Sequence, residues 1–101
     1  MLSKDKLIDL LKSVEIKSIL KEIGVEHLYL VGSYSRGDYN ENSDIDLIYQ
    51  QNGDIRVGGI KFLKVKSILE SRLNKKVELV EDKYINKNFK SSIEKDKKFI
   101  F

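Results

Sequence analysis

Two aspartates, Asp44 and Asp46, follow a loop that is rich in glycine, serine and asparagine. In a strand, residues i and i+2 project from the same face, so both carboxylates would point one way while Ile45 and Leu47 point into the core. Two carboxylates at this separation repel each other unless a cation lies between them. Oxygen ligands suit Mg²⁺, whose coordination is usually completed by substrate phosphates. The pair therefore predicts a magnesium site for phosphoryl or nucleotidyl transfer, and exposed strand residues without a ligand are the alternative.

The loop before the aspartates has the residue types of a phosphate site. Gly32 lets the backbone turn at the end of a strand without a clash from a Cβ atom. If Ser33 opens a turn or a short helix, its hydroxyl and the neighbouring N–H groups form an anion cradle. Arg36 adds a forked, permanently charged donor that suits phosphate oxygens, and a surface salt bridge is its alternative role.

Helical and strand patterns surround this candidate site. Apolar residues recur at helical spacing over residues 3–23 in two stripes that are out of phase, so we expect two short helices or one kinked helix. Gly24 ends this segment. The further expected elements are a strand buried on both faces at 25–31, a loop at 32–43, a strand at 44–49, a short extended piece at 54–57, a helix closed by Asn74, a strand at 77–80, a partial helix at 82–96 and an edge strand at 99–101. This order predicts an α/β (α+β) fold in which a small mixed sheet packs against helices.

Composition and charge restrict the class of protein. The chain has 101 residues, of which 41% are hydrophobic, and we expect a single domain over residues 1–101. The absence of Cys excludes a disulfide scaffold and a thiolate zinc site. No apolar run approaches the ~20 residues that span a bilayer, and the N-terminus lacks an apolar signal core, so we expect a cytoplasmic protein without a membrane partner. The formal charge of +3 indicates a solvated surface or a weak attraction for phosphates.

The segment 32–49, GSYSRGDYNENSDIDLIY, carries a resemblance to a known family. Gly-Ser, ten intervening residues and Asp-Ile-Asp form the signature of the nucleotidyltransferase superfamily that includes DNA polymerase β. The segment closely resembles the minimal nucleotidyltransferase (MNT) family of small prokaryotic proteins, and the resemblance covers most of the chain. It implies the nucleotidyltransferase fold and two catalytic metal ligands, Asp44 and Asp46. It also implies four nucleotide-binding residues, namely Gly32, Ser33, Arg36 and Ser43.

The resemblance further implies a third carboxylate on the next central strand. In the family this residue is usually Asp, and the matching position in this chain holds Glu78. Val77 and Leu79 would face the core, which leaves Glu78 on the side of the aspartates. The extra methylene displaces the carboxylate, and Mg²⁺ demands tight geometry. We interpret Glu78 as a metal ligand or as a general base for the acceptor hydroxyl, and a solvated strand residue is the alternative.

Many MNT proteins are the antitoxin of a pair whose toxin is a HEPN-domain ribonuclease. The resemblance therefore implies that this chain transfers AMP from ATP, with two Mg²⁺ ions, to a tyrosine hydroxyl near the active site of such a toxin. This modification would neutralise the toxin. The expected partners are a HEPN toxin and a nucleotide triphosphate, in a hetero-oligomer or with a homodimer contact.

Two other functions stay open at this point. The chain could be an MNT-fold antitoxin that occludes the toxin without catalysis, because Glu78 replaces the usual aspartate. Nucleotidyl transfer to a small molecule, as in the related aminoglycoside nucleotidyltransferases, uses an extra helical domain for which 101 residues leave no room, unless a separate chain supplies the acceptor pocket. Extension of a nucleic acid is disfavoured for the same reason, so a protein acceptor is the leading hypothesis.

Overall fold

Five α-helices and four strands make up the part of the chain that the computed structural model describes, which is residues 1–51, 53 and 57–101. In chain order they are α1 (Lys4–Leu11), α2 (Val14–Lys21), β1 (Val25–Val31), α3 (Gly32–Arg36), β2 (Ile45–Gln51), α4 (Gly59–Leu73), β3 (Val77–Glu81), α5 (Lys90–Asp96) and β4 (Lys98–Phe99). Two 3₁₀ turns, Asp82–Tyr84 and Lys87–Phe89, connect β3 to α5. The extended piece expected at 54–57 lies outside the described residues except for Val57.

The strands form one mixed sheet in the order β3-β2-β1-β4. Strand β1 runs antiparallel to β2 and to β4, whereas β2 and β3 are parallel. The parallel pair brings Asp46 directly opposite Glu78, and the antiparallel pair brings Tyr29 opposite Phe99. The predicted α/β class with a small mixed sheet is confirmed. A short edge strand is present at the C-terminal end, but it comprises Lys98–Phe99 rather than residues 99–101.

Two serines divide the N-terminal segment into two helices. The Oγ of Ser3 accepts a hydrogen bond from the N–H of Lys6, and the Oγ of Ser13 accepts one from the N–H of Ile16. Each serine therefore satisfies an N–H group that a helix start leaves without a partner. Gly24 follows α2 with a φ of 81°, a left-handed conformation that ends the helix. The phase slip seen in the sequence lies at Ser13, the residue that caps the start of α2.

The core lies between one face of the sheet and the helices α1, α2 and α4. Leu28, Leu30, Ile45 and Leu47 from the sheet are fully or almost fully buried. The helices contribute a shared set of buried residues, namely Leu7, Leu11, Ile16, Leu20, Val65, Leu69 and Leu73. In the described residues no helix has both the length and the apolar composition needed to cross a bilayer.

The expectation that β1 is buried on both faces is wrong. Leu28 and Leu30 are completely buried, but His27 and Tyr29, which alternate with them, are only half-buried. The reason is that α1, α2 and α4 pack on the face that carries the leucines. The opposite face of the sheet is therefore more open, and it is the face to which Asp46 belongs.

Candidate active site

Three carboxylates are close enough for their charges to interact at the open face of the sheet. Asp44 immediately precedes β2, Asp46 is its second residue, and Glu78 on β3 is the in-register neighbour of Asp46. Between them, Ile45 and Val77 are completely buried on the other face. The alternation of side chains along two adjacent parallel strands therefore brings together residues that are 32 positions apart in the sequence.

The negative charges of this cluster act on Asp46. Burial, the charge of Asp44 and the charge of Glu78 raise the pKa of the half-buried Asp46 carboxyl, and only Arg36 acts in the opposite direction. A bound cation would remove this repulsion. The donor set consists of carboxylate oxygens alone, which fits Mg²⁺ better than a softer metal.

The cluster does not form a closed metal cage. Asp44 is exposed, and the Glu78 carboxylate lies 3.7 Å from the Nζ of Lys76. Across residues 1–51, 53 and 57–101, no three acidic or histidine side chains converge to a complete metal-binding group. Phosphate oxygens and water would have to supply the remaining ligands, as is usual for Mg²⁺.

Gly32 joins the carboxylates to the predicted phosphate loop. Its φ of 74° lies in the left-handed region, and a Cβ atom at this position would overlap the Oδ2 of Asp46 and lie 3.1 Å from its Cγ. Only glycine allows this turn and this close approach. The backbone at the start of α3 is therefore in van der Waals contact with the carboxylate that the alternation places on β2.

The predicted loop at 32–43 is in fact helical in its first five residues. Helix α3 begins at Gly32, with Ser33 half-buried in its first turn, and it ends at Arg36, where Gly37 caps it with a φ of 93°. The burial of Tyr34 and Ser35 explains why this serine- and glycine-rich stretch is helical, because the helix packs two of its five side chains inward. The short helix that an anion cradle at Ser33 would require is therefore present.

Arg36 binds two carboxylates from its own chain. Its Nε lies 3.2 Å from Asp38 and its Nη1 lies 3.0 Å from Asp96 at the end of α5. The Oγ of Ser35 also donates to the backbone carbonyl of Asp96, so α3 and α5 are held together by two adjacent residues. A phosphate contact by Arg36 would require the guanidinium to exchange at least one of these partners.

Ser43 shapes the loop before Asp44. Its Oγ accepts a hydrogen bond from the N–H of Asn40 at 2.9 Å, and its own N–H donates to the carbonyl of Asn40 at 3.1 Å. The Oδ1 of Asn40 in turn accepts from the N–H of Asn42. Ser43 thus has its hydroxyl engaged within the loop rather than extended towards the start of α3.

Tyr34 and Tyr39 stabilise the segment that precedes the candidate site. The rings of Tyr34 and Tyr39 stack with their centroids 4.2 Å apart and their planes 10° from parallel. The Tyr34 hydroxyl donates to the carbonyl of Leu2, and the Tyr39 hydroxyl accepts from the N–H of Lys4. Burial raises the pKa of Tyr34, which keeps its hydroxyl protonated as a donor. These aromatic rings tie the loop to the start of α1.

Tyr34→Phe should therefore lower stability without affecting nucleotide transfer. Losing the hydrogen bond to Leu2 is expected to cost about 1 kcal/mol of unfolding free energy. Urea denaturation measures this loss, and Tyr84→Phe is the matched control because Tyr84 is 75% exposed. A raised KM for ATP in Tyr34→Phe with unchanged stability would contradict this stabilising role.

Sequence reasoning missed Lys75. The Nζ of this residue donates to the backbone carbonyls of Glu41 and Ser43, each at 2.8 Å. No signal in the sequence distinguishes Lys75 from the many other lysines of the chain, because both acceptors are backbone atoms more than thirty residues away.

Comparison with known proteins places this arrangement in a family. Residues 13–100 match the family described as the nucleotidyltransferase domain. The chain belongs to this family. Two relatives from Methanocaldococcus jannaschii, both named as protein adenylyltransferases, support the assignment. One is 37% identical over 82 residues, which are 79% of this chain and 82% of the relative. The other is 34% identical over 76 residues, which are 65% of this chain and 84% of the relative.

Solved structures show the same fold for this nucleotidyltransferase domain. A toxin–antitoxin structure with AMP-PNP superposes with a TM-score of 0.69 and 25% identity, over 86% of this chain and 70% of that chain. A protein described as a minimal nucleotidyltransferase has a TM-score of 0.66 and 19% identity, over 90% and 93% of the two chains. A complex of a tri-AMPylated Shewanella oneidensis HEPN toxin with its MNT antitoxin has a TM-score of 0.65 and 21% identity, over 93% and 71%. Membership of the nucleotidyltransferase family, which the sequence indicated, is confirmed, and the MNT structures share its fold.

Proposed function

We propose that this nucleotidyltransferase domain is an MNT-type antitoxin that transfers AMP from ATP to a tyrosine hydroxyl of a cognate HEPN ribonuclease toxin and so neutralises it. The observation that carries the proposal is the contact of Asp46 with the backbone of Gly32, next to Asp44 and in register with Glu78. The proposed metal-binding pair and the proposed phosphate-binding turn would then be close enough for a single nucleotide to contact both. The relatives named as adenylyltransferases support this chemistry.

Each group of the chain has a role in the proposed reaction. Ser33 and the amides of α3 would bind the triphosphate, and Asp44 and Asp46 would hold two Mg²⁺ ions. When bound, these ions would neutralise the phosphate charge and lower the pKa of the attacking hydroxyl. The tyrosine oxygen forms a bond to the α-phosphorus, and the bond from that phosphorus to the bridging oxygen breaks as pyrophosphate leaves. Glu78 would accept the phenolic proton.

The test is transfer of label in a reconstituted pair. The purified chain is incubated with Mg²⁺, ATP labelled at the α-phosphate and the HEPN-type product of the adjacent gene, and modified residues are identified by mass spectrometry. We expect AMP on a tyrosine of the toxin and loss of its ribonuclease activity. The same reaction without the toxin controls for self-modification. Neutralisation without any label would overturn the enzymatic proposal.

A non-catalytic antitoxin is the second candidate, because Glu78 is exposed and already paired with Lys76. In this case the domain would cover the toxin without modifying it. ATP depletion distinguishes the two candidates. Neutralisation that needs ATP and outlasts removal of the antitoxin is the enzymatic outcome, whereas neutralisation that is lost on removal is the outcome of occlusion.

Replacement of Glu78 by Gln tests the proposed proton acceptor. We expect kcat to fall by about 10²-fold, the usual contribution of a positioned general base, with little change in the KM for ATP. Steady-state transfer kinetics measure both constants. Glu26→Gln is the matched control, because it makes the same substitution at an exposed position of β1. Unchanged kcat in Glu78→Gln would show that Glu78 is a solvated strand residue.

A further inference from the structure

The side chain of Lys75 connects three parts of the candidate active site. The residue lies between the end of α4 and the start of β3, two positions after Leu73 and three before Glu78. Its Nζ donates to the carbonyls of Glu41 and Ser43, both at 2.8 Å. Ser43 is the residue immediately before Asp44, so the ammonium group is hydrogen-bonded to the carbonyl that precedes the first proposed metal ligand.

The same ammonium group also faces the helix that forms the phosphate turn. It lies 5.7 Å from the ring centroid of Tyr34, which is completely buried in α3. Tyr34 in turn stacks on Tyr39 from the loop. A cation at this distance from an aromatic face is attracted to it. Lys75 therefore contacts the loop through its hydrogen bonds and α3 through its charge.

The backbone beside Lys75 completes the connection. The N–H of Ile45 donates to the carbonyl of Lys76 at 3.0 Å, so the residue after Lys75 binds the residue after Asp44. Hydrogen bonds to residues 75 and 76 therefore lie on both sides of Asp44, one at Ser43 and one at Ile45. One is a backbone bond that starts the pairing of β2 with β3, and the other is the bond from the Lys75 side chain.

Tyr39 anchors the first part of the loop to α1 and α3, but residues 40–43 have few hydrogen bonds to the rest of the chain. Among the described residues, the other hydrogen bonds of residues 40–43 join members of the loop to one another. Asn40, Glu41 and Asn42 are exposed. An exposed segment whose hydrogen bonds are mostly internal can shift relative to the sheet, even when its preceding residue Tyr39 is anchored. The two bonds from Lys75 are what relate its last carbonyl to the start of β3.

We propose that Lys75 is a positioning residue for nucleotidyl transfer, whose ammonium group holds the Ser43 carbonyl and so sets the position of Asp44 relative to Asp46. The proposal rests on the proposed function of the site. Mg²⁺ requires near-ideal ligand geometry, and a displacement of about 1 Å in a reacting constellation can cost about 10²-fold in rate. Removing the ammonium should therefore weaken metal binding and slow transfer, while the triphosphate turn on α3 stays in place.

Lys75→Met tests this proposal, with Lys64→Met as the matched control. Lys64 is exposed on α4, and its replacement removes the same charge from the helix that precedes Lys75. For Lys75→Met we expect kcat to fall between about 10- and 100-fold, the half-saturating Mg²⁺ concentration to rise about 10-fold, and the KM for ATP to change by less than about twofold. Lys64→Met should match the wild type in all three.

Two measurements do not depend on transfer activity. Hydrogen exchange of the Asn42 and Ser43 amides in the nucleotide-free protein should become about 10-fold faster in Lys75→Met, while sheet amides keep their wild-type rates. Binding of Mn²⁺, followed by its electron paramagnetic resonance signal, should weaken about 10-fold in the same variant. If the wild type transfers no AMP, the proposed function fails, but these two measurements still decide the role of Lys75.

Three results would overturn the proposal. Faster exchange throughout the sheet would show that Lys75 acts on global stability. A raised KM for ATP with an unchanged Mg²⁺ requirement would show that Lys75 binds the nucleotide. Unchanged Mn²⁺ binding and unchanged kcat would show that its two hydrogen bonds do not affect the position of Asp44.

Discussion

Asp46→Asn is expected to lower kcat for AMP transfer by about 10³-fold or more and, in the metal-free protein, to raise the melting temperature. The rate falls because the neutral amide of asparagine binds Mg²⁺ more weakly than a carboxylate, whose negative charge balances that of the ion. A 10³-fold loss corresponds to about 4 kcal/mol of transition-state stabilisation. The gain in stability follows because the variant removes one of three clustered negative charges from a half-buried position.

The stability gain should depend on pH in a defined direction. Burial and the charges of Asp44 and Glu78 raise the pKa of Asp46 in the folded state above its ordinary value. The stability that the protonated carboxyl allows is therefore fully present below the ordinary pKa and is lost as the pH rises through the raised pKa. The difference in melting temperature between Asp46→Asn and the wild type should be positive near neutral pH and should disappear in acid.

Thermal denaturation with and without Mg²⁺ measures these effects. Mg²⁺ should stabilise the wild type, because it binds the folded state, and should have little effect on Asp46→Asn. Asp9→Asn is the control, since Asp9 is exposed on α1 and is remote in sequence from the cluster. Retention of transfer activity in Asp46→Asn would refute the metal assignment, and a lowered melting temperature near neutral pH would refute the electrostatic argument.

Gly32→Ala is expected to reduce both activity and stability. Its φ of 74° costs an L-residue about 1–2 kcal/mol, and the new Cβ would overlap the Oδ2 of Asp46. The carboxylate must therefore move away from the start of α3, which separates the metal pair from the phosphate turn. We expect transfer to fall by at least about 10²-fold, as for other displacements of a reacting group.

A control and a double-mutant cycle separate the two causes of the stability loss. Gly59→Ala places the same methyl group at the start of α4, where no atom lies within 4 Å, and should be neutral or slightly stabilising. In an Asp46→Ala background the overlap with the carboxylate disappears and a 3.2 Å contact with the Cβ of residue 46 remains, so the urea-denaturation cost of Gly32→Ala should shrink towards that of the backbone strain. An equal cost in both backgrounds would rule out the contact with Asp46 as a cause.

Local spacing was sufficient to predict that Asp46 and Glu78 lie on the face of the sheet opposite the core. The alternation of Asp44, Ile45 and Asp46 and that of Val77, Glu78 and Leu79 follow from the two-residue period of a strand, which does not depend on the rest of the fold. The two N-terminal helices follow equally from the apolar stripes on either side of Ser13. These features were predictable because each depends only on residues a few positions apart.

Other features depend on contacts that local spacing does not encode. The five-residue α3 was expected to be a loop, and it is helical because the packed fold buries Tyr34 and Ser35. Strand β1 was expected to be covered on both faces, but the three core helices all pack on one. In both cases the outcome is decided by which surfaces meet, and surfaces from distant segments meet only in the tertiary structure.

The sequence by itself determined the family, the fold class and the residue types of the site, because the motif and its spacing are local. The tertiary structure decided the partners of those residues. It engages Arg36 with Asp96, 60 positions away, and it bonds Lys75 to the carbonyl that precedes Asp44, 32 positions away. Charged side chains on long flexible stems can reach many acceptors, and only the packing of the backbone selects among them. For this reason the sequence predicted the residue types of the site but not the contacts that hold them in position.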